Sequence, residues 1–166
     1  TSNAHGHFSL RSYRQRDNHM QSKELGKSDP WSERNFVLVL DDGEEAFGAI
    51  IKFCEEQNIT GASLTAIGAF KRAKLGFFDF TQKRYIDIPV DTQSEVLSAI
   101  GDVAVDDEGK ASVHMHAVLG FADGSTKGGH FISGIVHPTL EIIISESAVA
   151  LRRRKRPDLG IALLDV

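Results

Sequence analysis

The sequence predicts a domain of α+β class, with one principal helix packed on a sheet. Three observations point there. One stretch carries capped, amphipathic helical periodicity; from Ser63 onward the chain breaks into short strand-like runs punctuated by turn residues; and no second strongly amphipathic helix interrupts those runs. The length of 166 residues fits one domain with short extensions better than two, and 41% hydrophobic residues with ten Phe suffice for a proper core. No apolar run approaches the length needed to cross a bilayer.

Residues 1–33 are rich in Ser, Asn, Gln, Arg and His without apolar periodicity, so a mobile N-terminal arm is expected before a domain at 34–166. Ser2-Asn3-Ala4 reads as an expression-tag remnant, which leaves His5 and His7 without functional weight. Asp29-Pro30-Trp31 reads as a turn into the first element. Residues 36–40 are apolar throughout and predict a buried strand. The following Asp41-Asp42-Gly43-Glu44-Glu45 ends that strand and opens a helix, with Asp42 as cap and Glu45 closing a capping box. Phe47, Ile50, Ile51 and Cys54 then recur at helical spacing, and Asn58 and Gly61 bracket the exit. On that stripe Cys54 reads as a small core residue rather than a nucleophile.

Residues 64–70 and 74–80 are two strand-like runs that predict a hairpin turning at Lys71-Arg72. Residues 85–90 alternate until Pro89 ends the strand or puts it at an edge. Residues 95–105 hold a further strand, closed by Asp106-Asp107-Glu108-Gly109, a solvated hairpin tip or else a cation site. Residues 112–119 form the next strand, with Val113, Met115, Ala117 and Leu119 on one face and His114, His116 and Val118 on the other. Asp123-Gly124 supplies a turn, and Gly128-Gly129 lets the returning backbone approach a neighbour closely or form a bulge. Residues 131–136 continue that strand, His137-Pro138 breaks it with His137 at the surface, and residues 140–144 give another. A basic run, Arg152-Arg153-Arg154-Lys155-Arg156, precedes a closing apolar strand at 161–166.

The candidate site is His114-Met115-His116 with Gly128-Gly129-His130. Residues two apart on a strand share a face, so His114 and His116 present two imidazoles together, and an antiparallel return brings His130 near them. Three nitrogens converging on one point leave a fourth position open, which for zinc marks a reactive or ligand-exchanging site. The alternative for His-x-His alone is an ordinary polar pair. A His₃ set also suits Fe, Ni, Co or Cu, because geometry and availability decide more than ligand type.

The net charge of −4 hides an uneven layout: residues 35–150 carry 8 Lys and Arg against 17 Asp and Glu, whereas 151–166 carry 5 against 2. An acidic body repels a phosphate backbone, so nucleic-acid binding would have to use local basic segments: Lys71 with Arg72, or Arg152, Arg153, Arg154, Lys155 and Arg156. The basic run reads equally as a solvated loop or a partner to the acidic body. The single Cys54 rules out an intrachain disulfide and is compatible with a reducing compartment. With no apolar h-region behind the N-terminal charges, a cytoplasmic location is expected, and no membrane partner.

Taken together, the capped helix from Asp42, the Thr65-Ala66-Ile67-Gly68-Ala69-Phe70 segment, His114-Met115-His116, Gly128-Gly129-His130 and Thr139-Leu140-Glu141 resemble the PPC (plants and prokaryotes conserved) domain family over residues 34–166. The resemblance implies a mostly antiparallel sheet packed against one main helix, assembled as a homotrimer. It also implies stand-alone prokaryotic proteins often labelled as DNA-binding, although the AT-hook of the plant members is missing here. In some prokaryotic relatives the histidines of these motifs gather a metal, which makes His114, His116 and His130 the expected ligands of Zn²⁺, with Gly128 and Gly129 beside any bound group. Three functions follow: a trimeric metal protein, enzymatic or small-ligand-binding, in which Glu141 is the first acidic residue to inspect; a DNA-binding protein using the basic patches; or an assembly module joined through residues 1–33.

Overall fold

Alternation along the strands builds the interior. The computed structural model describes residues 12–13, 20–25 and 34–166. In β3 (Asn35–Asp41) Phe36, Leu38 and Leu40 point inward, and they pair in register with Ile144, Ile142 and Leu140 of β8 (Thr126–Glu146), which are equally buried. Outside β3 lie β2 (Gln21–Glu24) and the short β1 (Ser12–Tyr13). The expected N-terminal arm therefore contributes a strand at 21–24, paired between β1 and β3. Its short apolar content concealed this, because pairing with β3 supplies backbone bonds that no side-chain pattern announces. The Asp29-Pro30-Trp31 turn and His5 and His7 lie outside the described residues.

The helix α1 (Ala46–Glu56) follows, burying Ala46, Ile50, Phe53 and Cys54. Its cap is Glu45, whose carboxylate accepts from the amides of Phe47 and Gly48, rather than Asp42. The start moves because residues 43 and 44 are held by β8 instead: Gly43 N–H donates to the Val136 carbonyl and Val136 N–H to that of Glu44. Gly43 takes φ +88°, which a glycine accepts freely. Phe53 meets Phe36 edge to face at 5.4 Å, and Phe131 stacks on Phe70 at 5.3 Å, tying helix and sheet into one core. Burial pushes the Cys54 thiol up to about 12, in keeping with a core residue rather than a nucleophile.

Two long strands organise the rest. β4 (Ala62–Asp79) and β8 pair antiparallel along most of their length. The other edge of β4 takes β6 (Ser94–Val105) over its first half and β5 (Arg84–Val90) over its second. The other edge of β8 takes β7 (Ala111–Gly120) at its start and β3 at its end. Because β6 also pairs with β7, the ladder β4–β6–β7–β8 closes on itself.

Lys71-Arg72 is consequently not a turn. β4 runs through it, bending at register shifts near Gly68, Phe70 and Arg72, and the hairpin falls later, between β4 and β5. Likewise His137-Pro138 does not end a strand; it lies within β8, joined by a cis peptide. Pro89 sits on β5, which among the described residues pairs only with β4, so it occupies an edge as expected. Asp106 accepts from the amides of Glu108 and Lys110, making 106–109 the tight turn of the β6–β7 hairpin. At the C-terminus β9 (Arg152–Arg156) touches β6 through a single parallel bridge, Val105 to Arg152, and carries β10 (Ile161–Asp165). Among the described residues the sheet is thus almost wholly antiparallel with one helix, and no helix is long and apolar enough to cross a membrane.

Candidate metal centre

Along β7, Val113, Met115, Ala117 and Leu119 fill the interior, which turns His114 and His116 outward. On one side, β6 sets Asp102 opposite His114 and Ile100 opposite His116. On the other, β8 sets His130 directly opposite His116. The sequence-predicted trio therefore comes together on the outside of the closed ladder, and all three offer a nitrogen within 4.8 Å of the others. Nε2 of His114 lies 3.3 Å from Nε2 of His116. Tetrahedral zinc with Zn–N bonds of about 2.0–2.1 Å needs its nitrogens roughly 3.3–3.4 Å apart. One pair already meets that separation.

The surroundings suit a cation held by neutral imidazoles. Burial, then the neighbouring His114 and His116, push His130 down from 6.5 to about 4. His114 is lowered too, chiefly by burial and then by Arg153, against the opposing pull of Asp102. Both rings are therefore neutral near pH 7 and present lone pairs. Nδ1 of His130 is enclosed and has no hydrogen-bond partner among the described residues, an orphaned polar atom of the sort that a bound group satisfies. The donor set is three imidazoles with no thiolate, and it fits Zn²⁺ or a similar divalent ion.

The backbone makes room for this. A Cβ on Gly129 would lie 2.7 Å from the Gly76 carbonyl oxygen, so the glycine before His130 allows the close approach of β8 to β4. Gly128 is looser, at 3.4 Å from the Ala117 oxygen. Gly76, opposite His130, has no side chain where the Tyr85 ring lies, and that ring stacks on His130 with centroids 4.6 Å apart. A surface pocket of about 300 Å³ adjoins the cluster, lined by Ile100, Gly101, Asp102, His114 and His116.

Glu141 is elsewhere: it lies further along β8, exposed, opposite Val39 and Ile67. The carboxylate beside the histidines is Asp102, which sequence reasoning missed. Its signal was available in the tight turn at 106–109, since counting back from Val105 opposite Ala111 puts residue 102 across from 114. Tyr85 and Arg153 had no such signal, because each arrives from a distant hairpin.

The basic run forms β9. Arg153 is 6% exposed and pairs with Asp102; Arg154 pairs with Asp165 at 2.6 Å and Arg156 with Asp158 at 2.9 Å. Arg152 and Lys155 are exposed, as are Lys71 and Arg72 on β4. His137 is exposed and sits 2.7 Å from Asp42.

The family profile of the Plants and Prokaryotes Conserved (PCC) domain matches residues 28–148. The chain belongs to that family. Among solved structures, the PCC chain resembles a plant- and prokaryote-conserved protein of Pyrococcus horikoshii, 30% identical with a TM-score of 0.73 over 99% of this chain and 98% of that one. It resembles the metal-containing protein of Archaeoglobus fulgidus at 28% identity and TM-score 0.72, over 96% and 98%. A candidate DNA-binding protein of Bacteroides thetaiotaomicron is 26% identical, TM-score 0.80, over 89% and 98%. The PCC chain also aligns over 137 residues, at 28% identity, with the bifunctional protein GlmU of Synechococcus sp. (strain JA-3-3Ab), covering 81% of this chain and 20% of that relative. It thus spans about a fifth of that relative's length.

Proposed function

We propose that this PCC protein binds a divalent metal ion, zinc foremost, through His114, His116 and His130, and does so as a homotrimer. The observation that carries the reading is the convergence of three imidazole nitrogens within 4.8 Å. The metal-containing relative from Archaeoglobus fulgidus supports it. When bound, such an ion supplies a Lewis acid with an exchangeable position, able to acidify a water or accept a small anionic ligand. The chain's own residues contribute three imidazole donors, a stacked Tyr85 that restrains the His130 ring, and a pocket beside the histidines in which a small molecule can sit.

A trimer is supported by the outer face of the ladder. Ile143, Thr65, Ile100 and His116 follow one another across β8, β4, β6 and β7, and Ile67, Leu97, Ile100, Val118 and Ile143 are all exposed. An apolar surface of this kind is characteristic of subunit contact. Elemental analysis of protein purified without an affinity metal should find about one zinc per chain, and His116→Ala should lose it. A folded wild-type protein that takes up no divalent metal overturns the reading.

The second reading is DNA binding, favoured by the Bacteroides thetaiotaomicron relative. Lys71, Arg72, Arg152 and Lys155 are exposed cations for it, while Arg153 is buried against Asp102 and the equally exposed Arg154 and Arg156 are engaged by Asp165 and Asp158. Duplex affinity should then fall steeply with salt and drop on neutralising Lys71, Arg72, Arg152 and Lys155. Unchanged affinity in that variant removes this reading.

A further inference from the structure

The metal reading leaves unexplained why one arginine of the basic run is turned inward. Arg153 is 6% exposed, and a buried guanidinium is retained only with a partner. Its partner is Oδ1 of Asp102. The second oxygen, Oδ2, stands 3.9 Å from Nδ1 of His114, while the opposite nitrogen of that ring, Nε2, lies 3.3 Å from Nε2 of His116. Arg153, Asp102 and His114 thus form a line ending at the histidine cluster, and Arg153 lies beyond the matched residues 28–148.

We infer that Asp102, fixed by Arg153, is the positioning residue of the metal centre: it holds the proton of His114 on Nδ1 and so presents Nε2 to the cation. The inference rests on the metal reading above. Imidazole has one lone pair to give in its neutral form, and the hydrogen bond at one nitrogen decides which nitrogen gives it. Oδ2 needs about 1 Å of movement to reach hydrogen-bond distance from Nδ1. The β6–β7 ladder keeps the two residues opposite each other, so the line of action is set by the backbone. Arg153 has a second effect. It brings positive charge towards a cation site, and Asp102 neutralises it; without that carboxylate the guanidinium would be buried unpaired and would repel the metal. The C-terminal hairpin, joined to the ring by one bridge, is thereby coupled to the metal centre.

The test is a zinc titration of the full chain, read by competition with a chromophoric chelator. Asp102→Asn should weaken zinc by about 10- to 100-fold, the usual range for losing an outer carboxylate, and Asp102→Glu should recover part of the loss. Nitrogen-15 spectra of the zinc-loaded wild type should show His114 protonated at Nδ1 and bound through Nε2, a readout independent of whether any variant folds. Equal zinc affinity in wild type and Asp102→Asn, or His114 bound through Nδ1, overturns the inference while leaving the metal site standing. A wild type that binds no zinc overturns the metal reading itself.

Discussion

His116 and His130 stand directly opposite each other across the β7–β8 ladder, with ring centroids 5.5 Å apart and planes at 89°. Facing positions on paired strands hold side chains a few ångströms apart whatever the sequence nearby, so the centre is assembled by register. That makes His130 replaceable without loss of fold. His130→Phe preserves a ring for Tyr85 to stack on and removes the orphaned Nδ1. Metal-free stability should change by no more than about 1 kcal/mol, because deleting an unsatisfied polar atom offsets the altered packing. Zinc should raise the melting temperature of the wild type and leave that of His130→Phe unchanged, as thermal denaturation with and without zinc will show.

Acid should weaken the metal-free fold through the same residue. The folded-state value of His130, about 4, lies below the ordinary 6.5, so between those values the unfolded chain holds more protons on this group. Its contribution is therefore complete above pH 6.5 and is lost progressively as the pH falls towards 4. Denaturant unfolding measured across that window should give a steeper pH dependence for wild type than for His130→Phe. Coincident curves would show that the ring is not held neutral.

Gly101 predicts a harsher outcome. It lies between Ile100 and Asp102 on β6, opposite Met115, and a Cβ there would collide with the His114 backbone oxygen and lie 2.7 Å from the Met115 Cγ. Backbone cannot yield as a flexible side chain does, so Gly101→Ala should cost at least about 2 kcal/mol, at the upper end of overpacking, with the Asp102–His114 pairing lost alongside. Gly109, with nothing within 4 Å of its missing Cβ but φ +79°, should lose only the smaller cost of backbone strain. Chemical denaturation of the two variants ranks them.

These outcomes also mark what the sequence could tell. Alternation from Val113 to Leu119 is enough to turn His114 and His116 outward, and the 106–109 turn fixes the Asp102–His114 register. Glu141 attracted attention through its motif alone, and a motif carries no distance. The supposed hairpin at Lys71-Arg72 failed because bulges let one strand bend where a turn was expected. Arg153 could not be found: its neighbours are exposed cations, its inward turn depends on one parallel bridge, and its partner lies 51 residues earlier. Contacts of that range have no local signature.

The apolar outer face gives the last prediction. Ile100 is 59% exposed, stands opposite both Thr65 and His116, and lies in the row that reaches Ile143. If this face is the contact between copies, Ile100→Asp puts a carboxylate into each interface, where desolvation without a partner costs several kcal/mol. In the monomer the same substitution sits on a solvated strand face and should change stability by roughly 0.5 kcal/mol. Sedimentation should then show trimer for wild type and monomer for Ile100→Asp, with circular dichroism unaltered. Ile100 also lines the pocket beside His114 and His116, so zinc affinity is read instead in Ile143→Asp, on the same exposed face but outside that lining, and there it separates two arrangements. Retained affinity means that each chain holds its ion alone, and lost affinity with an intact fold means that the centre depends on the neighbouring copy.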